Sequence, residues 1–285
     1  MVNGNVNNYI ACAAARDIEK ISTENKTVVG VTSVDDELFV LLCRYTSWFG
    51  EGCYSYQVEA YSINDYKLLH YPMLPEYKSN EDSDMVSCVR RKCLYMSDYV
   101  NCCIHRYNLA SSATNKWSVP GSPRGLSLTL RGNLLVTCPD KLVGLSADNG
   151  QCVREIALQA DIASPWHSVE LTTGQYVVCH GLDYSNLNRV CLVGADGKVT
   201  RSYGGQLGSD MGQLNRPYHL AVDNDSQFIF VADEYNDRVV LLSPTLEFVR
   251  YVSEKVSVPC RLYFDHTTRR LFVGLLRGGV AVIQL

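Results

Sequence analysis

Several things are missing from this 285-residue chain, and each absence removes a class of explanation. No apolar run approaches the roughly 18 residues that a membrane-spanning helix needs, so no membrane segment is expected. The opening "MVNGNVNNYIACAAARDIEK" lacks a basic n-region, and its apolar patch "YIACAAA" is short, so a signal peptide is not expected. Twelve cysteines are present but none forms a C-x-x-C pair, and the Cys and His spacings of RING and B-box zinc folds are absent. Several cysteines sit inside apolar runs ("LLVTC", "YVVC", "RVCLV"), where a thiol packs as a small hydrophobe. Reduced structural thiols in a cytoplasmic chain, with no metal and no cofactor, are the expectation. There is no excess of positive charge: 26 basic against 30 acidic residues give a net charge of −4, so no global attraction to polyanions arises. Nothing resembles a nucleophile elbow or a phosphate loop.

What is present is a repeat. In "RPYHLAVDNDSQFIFVADEYNDRVVLLSP" (Arg216–Pro244), three short apolar runs are punctuated by polar turns. Its first two runs recur as "TVVGVTSVDDELFVLLC", "DMVSCVRRKCLYMSD", "SPRGLSLTLRGNLLVTC", "SPWHSVELTTGQYVVCH" and "VPCRLYFDHTTRRLFVGL". Aligned on the second run, Val40, Met96, Val136, Val178, Val231 and Val273 are equivalent, at intervals of 56, 40, 42, 53 and 42 residues. A third run follows in every unit. A fourth follows in most, entered through turns such as "SIND", "ADNG" and "ADGK" that carry hairpin chemistry.

Six units of four antiparallel strands describe an all-β, six-bladed β-propeller. The blades are expected at about 27–73, 84–119, 123–158, 165–203, 217–252 and 259–285. The last unit lacks a fourth strand, and the segment 16–22 has the length and alternation to supply it, which removes an open seam. With 46% hydrophobic residues and no linker or helix-period tract, the whole of 1–285 is expected to be one domain.

The fifth unit resembles the NHL repeat. The residues that carry the likeness are Gly205, Gly208, Gly212, Gln213, Asn215 and Pro217, then Ala221-Val222-Asp223, Val231-Ala232-Asp233, and Asn236, Arg238 and Val239. The fourth unit matches partly, through "SPWHSVEL" and Asn188–Val190; the others keep only the apolar skeleton. The resemblance implies a propeller like the C-terminal domain of tripartite-motif ubiquitin ligases, which selects partners through one face of the ring. From the residues themselves, Asp223 shapes a hairpin turn, and Asp233, Asn236 and Arg238 are a structural set that pins the next one.

Strand order places the starts of the innermost strands and the second-to-third-strand turns on one face. The starts are expected to be Gly30, Ser87, Gly125, His167, His219 and Arg261, with Trp166 and Tyr218 adding aromatic surface. The longest turn, Arg44–Ser55, offers Trp48 and Phe49 as exposed aromatics. Arg216, Arg238, Arg261 and Arg277 are expected to form a basic crescent opposite the acidic loop Glu76–Asp84. His70, His105 and His266 are taken as structural or surface residues.

Three functions fit this layout. The leading one is a non-enzymatic scaffold or substrate adaptor for a protein or peptide, linked to ubiquitin-ligase pathways as the resemblance implies. The second is single-stranded RNA binding through arginines and aromatics. The third is a metal-dependent lyase or hydrolase, for which His167, His180 and His219 would hold the ion, although no supporting set of carboxylate, tyrosine and arginine is evident.

Overall fold

The computed structural model describes residues 18–23, 26–48, 51–74, 77, 82–181, 187–253 and 256–285. Its strands fall into six four-stranded antiparallel sheets, each a meander in chain order apart from the last. Blade 1 runs Thr27–Val34, Glu37–Trp48, Glu51–Ser62 and Leu68–His70. Blade 2 runs Met85–Cys88, Cys93–Asp98, Cys103–Asn108 and Thr114–Ser118. Blade 3 runs Leu126–Leu128, Leu134–Thr137, Lys141–Leu145 and Cys152–Ala157. Blade 4 runs Pro165–Glu170, Tyr176–His180, Arg189–Val193 and Val199–Gly204. Blade 5 runs Pro217–Val222, Ile229–Asp233, Arg238–Leu242 and Phe248–Ser253. Blade 6 takes Pro259–Asp265, Arg270–Leu275 and Val280–Gln284 from the end of the chain.

The fourth strand of blade 6 is Ile18–Ile21, paired with Val280–Ile283 from Ile21↔Val280 to Ile18↔Ile283. The Gly279 N–H donates to Thr23 Oγ1 (2.7 Å) and fastens the seam beside the ladder. The all-β propeller closed by its N-terminal strand is therefore as the repeat implies. Among the described residues no helix is long and apolar enough to cross a membrane.

Period-two alternation sends successive side chains to opposite faces of each blade, and both faces are buried against neighbours. Six apolar clusters result, one in each wedge between adjacent blades. The turns follow local chemistry. Each inner hairpin contains one residue with positive φ: Asp35, Lys92, Gly132, Gly174, Gln227 and Arg269. Glycine meets that demand without Cβ strain in blades 3 and 4. Ten of the cysteines are free thiols, and most are buried among the apolar residues.

The segment Arg44–Ser55 differs from the expected loop. It continues the ladder of blade 1 outward, pairing Arg44↔Ser55, Tyr45↔Tyr54 and on to Trp48↔Glu51. Tyr45, Thr46, Tyr54 and Tyr56 favour extended backbone, and no proline interrupts them. Trp48 thus ends a strand, and Phe49 lies outside the described residues.

Inner strands approach their neighbours closely where the ring narrows. A Cβ on Gly125 would lie 2.5 Å from the Trp166 carbonyl oxygen and 2.8 Å from His167 Cα. A methyl there must push blades 3 and 4 apart. Gly125→Ala is therefore expected to destabilise the protein by roughly 1–3 kcal/mol, measured as a fall in the urea unfolding midpoint.

Candidate functional site

Four inner strands enter the ring through the same irregularity. Register slips at Val28/Gly30, Pro165/His167, Pro217/His219 and Pro259/Arg261 leave Val29, Trp166, Tyr218 and Cys260 as extra residues. A bulge re-aims the side chain that follows it. Gly30, His167, His219 and Arg261 occupy that following position.

The equivalent residue in blade 2 is not Ser87 as expected but Asp84. Met85 pairs with Met96, just as Leu126 pairs with Val136 and Leu262 with Val273. The residue preceding each of these completes the ring: Gly30, Asp84, Gly125, His167, His219 and Arg261. Ser87 lies three residues further along, bonded to Thr32 Oγ1 (2.7 Å) and the Ser33 carbonyl (2.6 Å).

Asp84 is the hub of this ring. Its Oδ1 accepts the Met85 N–H (2.8 Å), and its Oδ2 accepts the Leu126 N–H (2.8 Å) and His219 Nε2 (3.3 Å). His167 Nε2 stands 3.6 Å from Oδ2, and Arg261 Nε 3.6 Å from Oδ1. Arg261 also donates to the carbonyls of Val29 (2.9 Å), Cys260 (2.6 Å) and Ser83 (2.6 Å). Burial alone would raise the Asp84 carboxyl, but the His219 contact, the Arg261 charge and His167 hold it well below the usual carboxylate range. The acidic loop therefore does not face the arginines across the mouth: its last residue sits among them. Of that loop, 76 and 78–81 lie outside the described residues.

The two imidazoles are stacked, with ring centroids 3.8 Å apart and planes at 25°. Burial pushes His167 down to about 3, the adjacent His219 adding to the shift. Burial likewise lowers His219, against the pull of Asp84. The Leu262 N–H donates to His219 Nδ1 (3.3 Å), so the proton of the neutral ring is on Nε2, facing Asp84. His167 Nε2 donates to the Leu126 carbonyl (3.0 Å).

Asp84, His167 and His219 place one ligand atom each within 4.8 Å of the others. In the tautomers that the hydrogen bonds select, both Nε2 atoms carry the proton, His167 donating to the Leu126 carbonyl and His219 to Asp84, so neither offers a lone pair to a cation. His180, the third imidazole of the metal reading, lies elsewhere. Its Nε2 accepts from Arg189 Nε (2.9 Å), and burial lowers it to about 4. A second buried group, Asp98, Cys103 and His105, is knit by His105 Nε2 contacts of 3.0 Å to Asp98 and 3.5 Å to Cys103.

Above the ring lies a ledge of arginines and aromatics. Trp166 and Tyr218 pack at 4.8 Å between ring centroids. Arg124 covers Trp166 at 4.5 Å, and Arg216 lies 4.9 Å from the Tyr218 ring centroid, 5.3 Å from that of Trp166 and 5.1 Å from that of Tyr235. Arg261 lies 4.8 Å from the Tyr218 ring centroid, within the ring. Arg216 also donates to Tyr235 Oη (2.6 Å) and pairs with the buried Glu234 carboxylate (3.2 Å). A cavity of about 200 Å³ opens beside Arg216, Glu234, Tyr235 and Leu276. Towards the axis, only about 10 Å³ remains between Asp84, Trp166, Tyr218 and Arg261, so the channel is closed from this side.

The expected crescent is thus divided. Arg216 is on the ledge and Arg261 beneath it. Arg238 is buried, donating to Asp233 Oδ2 (2.7 Å) and to the Ser209 (2.7 Å) and Gln213 (2.9 Å) carbonyls. Asn236 bonds Asp233 and the Gly208 carbonyl, both at 2.8 Å, and Asp233 Oδ1 accepts the Asn215 N–H (2.7 Å). Asp223 accepts from Ser226 within its turn (2.5 Å) and from Arg269 of blade 6 (3.0 Å). Arg277 is exposed, apart from the cluster. Sequence reasoning missed Asp84, Arg124, Glu234 and Tyr235; strict use of the second-strand alignment would have found Asp84.

Removing Asp84 strands the Arg261 charge in the interior. Asp84→Ala is expected to cost about 3–5 kcal/mol in urea unfolding, with part restored by adding Arg261→Met. Acid acts on the same ring. A histidine with a lowered folded pKa binds fewer protons than its unfolded counterpart near 6.5, so its stabilisation is complete above that value and is lost as pH falls. Stability should decline from about pH 6.5 towards about pH 3, by roughly 1.4 kcal/mol per pH unit for each proton. Unfolding series across that range should show a slope up to one proton shallower in His167→Gln.

No protein-family model matches the chain, and no curated protein matches it. Solved structures share its architecture. A catalytically inactive virginiamycin B lyase from Staphylococcus aureus with quinupristin is 10% identical at a TM-score of 0.63, over 94% of this chain and 99% of that one. Hydrazine synthase from Kuenenia stuttgartiensis is 13% identical at 0.63, over 93% and 97%. A protein of unknown function from Bacteroides thetaiotaomicron is 13% identical at 0.65, over 96% and 73%. At such identities the likeness establishes the fold alone: the chain is a six-bladed β-propeller.

Proposed function

We propose that this chain is a non-enzymatic, NHL-type propeller, an adaptor that binds a partner protein or peptide on the face bearing Arg216. The observation that carries the reading is the ledge of Arg124, Trp166, Arg216 and Tyr235, resting on the buried Tyr218. Arginine and aromatic side chains held in mutual contact lose little freedom when a partner covers them, which is why they concentrate binding energy. Exposed apolar side chains stand on the same face: Tyr45, Val100 and Tyr235 near second-to-third-strand turns, and Met211 in the connection between blades 4 and 5. Such a rim suits a partner whose own surface offers carboxylates and apolar side chains. As in tripartite-motif relatives, the bound protein would be a substrate or component of a ubiquitin-ligase pathway, with ligase activity supplied elsewhere.

RNA binding is the second reading, favoured by the same arginines. Against it, Trp166 and Tyr218 cover each other and carry guanidinium groups on their rings, so little aromatic face is left on which a base could stack. A lyase or hydrolase draws support only from shared fold, and the closed axis and donor-bearing imidazoles argue for a structural ring.

Affinity capture from lysate tests the choice, using wild type and the Arg216→Glu/Tyr235→Ala double variant, each with and without nuclease. A nuclease-resistant protein held by wild type and reduced at least about tenfold in the variant is the expected result. Partners lost on nuclease treatment, with steep salt sensitivity, would transfer the face to RNA. Equal capture by both proteins would remove the ledge as the binding site.

A further inference from the structure

The six wedges are not equally filled. In each blade, the second-strand residue before the aligned position and its cross-strand partner face the next blade. These pairs are Phe39↔Ala60, Tyr95↔Arg106, Leu135↔Gly144, Val177↔Leu192, Phe230↔Leu241 and Phe272↔Val282. Blade 3 brings the leanest pair, one leucine opposite a glycine. A close-packed interior would normally fill such a gap. Here it stays open as a groove of about 450 Å³ between blades 3 and 4, on the face opposite the ledge.

That volume lies within the range of small-molecule sites. Leu135, Leu142 and Ile156 form an apolar floor beneath the missing side chain of Gly144. Two guanidinium groups flank it. Arg154 is positioned by donating to Tyr176 Oη (3.0 Å) and the Ala195 carbonyl (3.3 Å), and it makes no ion pair among the described residues. Arg131 is exposed at the groove mouth and has no polar partner among the described residues. One carboxylate, Glu170, lines the groove, and its Oε2 accepts the Leu130 N–H (2.9 Å). Two cations against one anion above an apolar floor select a ligand with an anionic head and an apolar body.

We infer that the groove between blades 3 and 4 is a binding site for a small amphipathic anion, an aromatic or alkyl carboxylate or sulfonate. Its head pairs with Arg131 and Arg154, and its body occupies the space over Gly144. This site is separate from the partner-binding face and does not depend on it.

Gly144 makes the inference testable. A Cβ there meets Val153 Cγ2 at 3.4 Å and Arg154 Cβ at 3.5 Å, ordinary contacts, and the backbone is not left-handed. Gly144→Leu installs the residue found at the equivalent place in blades 4 and 5 and fills the groove. The probe is 8-anilinonaphthalene-1-sulfonate, titrated by fluorescence, beside its uncharged relative N-phenyl-1-naphthylamine. Wild type should bind the sulfonate saturably and at least about tenfold more tightly than the uncharged probe. Gly144→Leu, with its β-sheet circular dichroism unchanged, should lose at least about tenfold in affinity. Arg131→Glu, a surface change with no packing consequence, should weaken the sulfonate by about tenfold and leave the neutral probe unaffected. The inference is overturned if wild type shows no saturable binding, if Gly144→Leu binds as wild type does, or if charge reversal at Arg131 has no effect.

Discussion

A carboxylate buried where six sheets converge has to be satisfied from several directions at once, and Asp84 sets that condition here. Taking an ion out of water costs several kcal/mol, recovered only through close, well-directed partners. Those partners come from around the ring. Blade 2 gives the Met85 N–H, blade 3 the Leu126 N–H, blades 4 and 5 their imidazoles, and blade 6 a guanidinium that also grips the Val29 carbonyl of blade 1. A shift of one blade along its axis would break one of these contacts. The wedges supply most of the burial, but they are greasy and tolerant; the polar hub fixes the relative height of the blades.

The hub also decides what each face can do. Its side chains block the axis from the ledge side, so a partner on that face meets a shelf rather than a tunnel. On the far side the axial cavity widens to about 160 Å³ beneath His167 and His219. On the proposal that a partner binds there, selectivity would come from the rim: arginines resting on aromatic rings and apolar tips at the loops.

Fold and site differed in how plainly the sequence displayed them. The strand grammar was legible because period-two burial on both faces writes itself as repeated apolar runs, and the closing strand could be placed because blade 6 came up one short. The ring was less legible. "DMVSC" begins its apolar run at Met85, and counting into the run selected Ser87, whereas register counts from the pairing Met85↔Met96 and selects Asp84. The arginines were indistinguishable as letters. Only the folded chain separates Arg238, used up on Asp233 and two carbonyls, from Arg216 on the ledge. The groove beside Gly144 was hidden for a simpler reason: a missing side chain leaves no motif, and it appears only when the six cross-strand pairs are compared.

The pairing of Ile18–Ile21 with Val280–Ile283 joins segments some 260 positions apart in the chain. On the ribosome this seam must wait, because its second half is made more than 250 residues after its first. Blades 1 to 5 can meander locally as they emerge, yet the outer wedge faces of the incomplete arc stay uncovered until the final strands arrive. The nascent ring is thus a sticky crescent until those strands have emerged and paired.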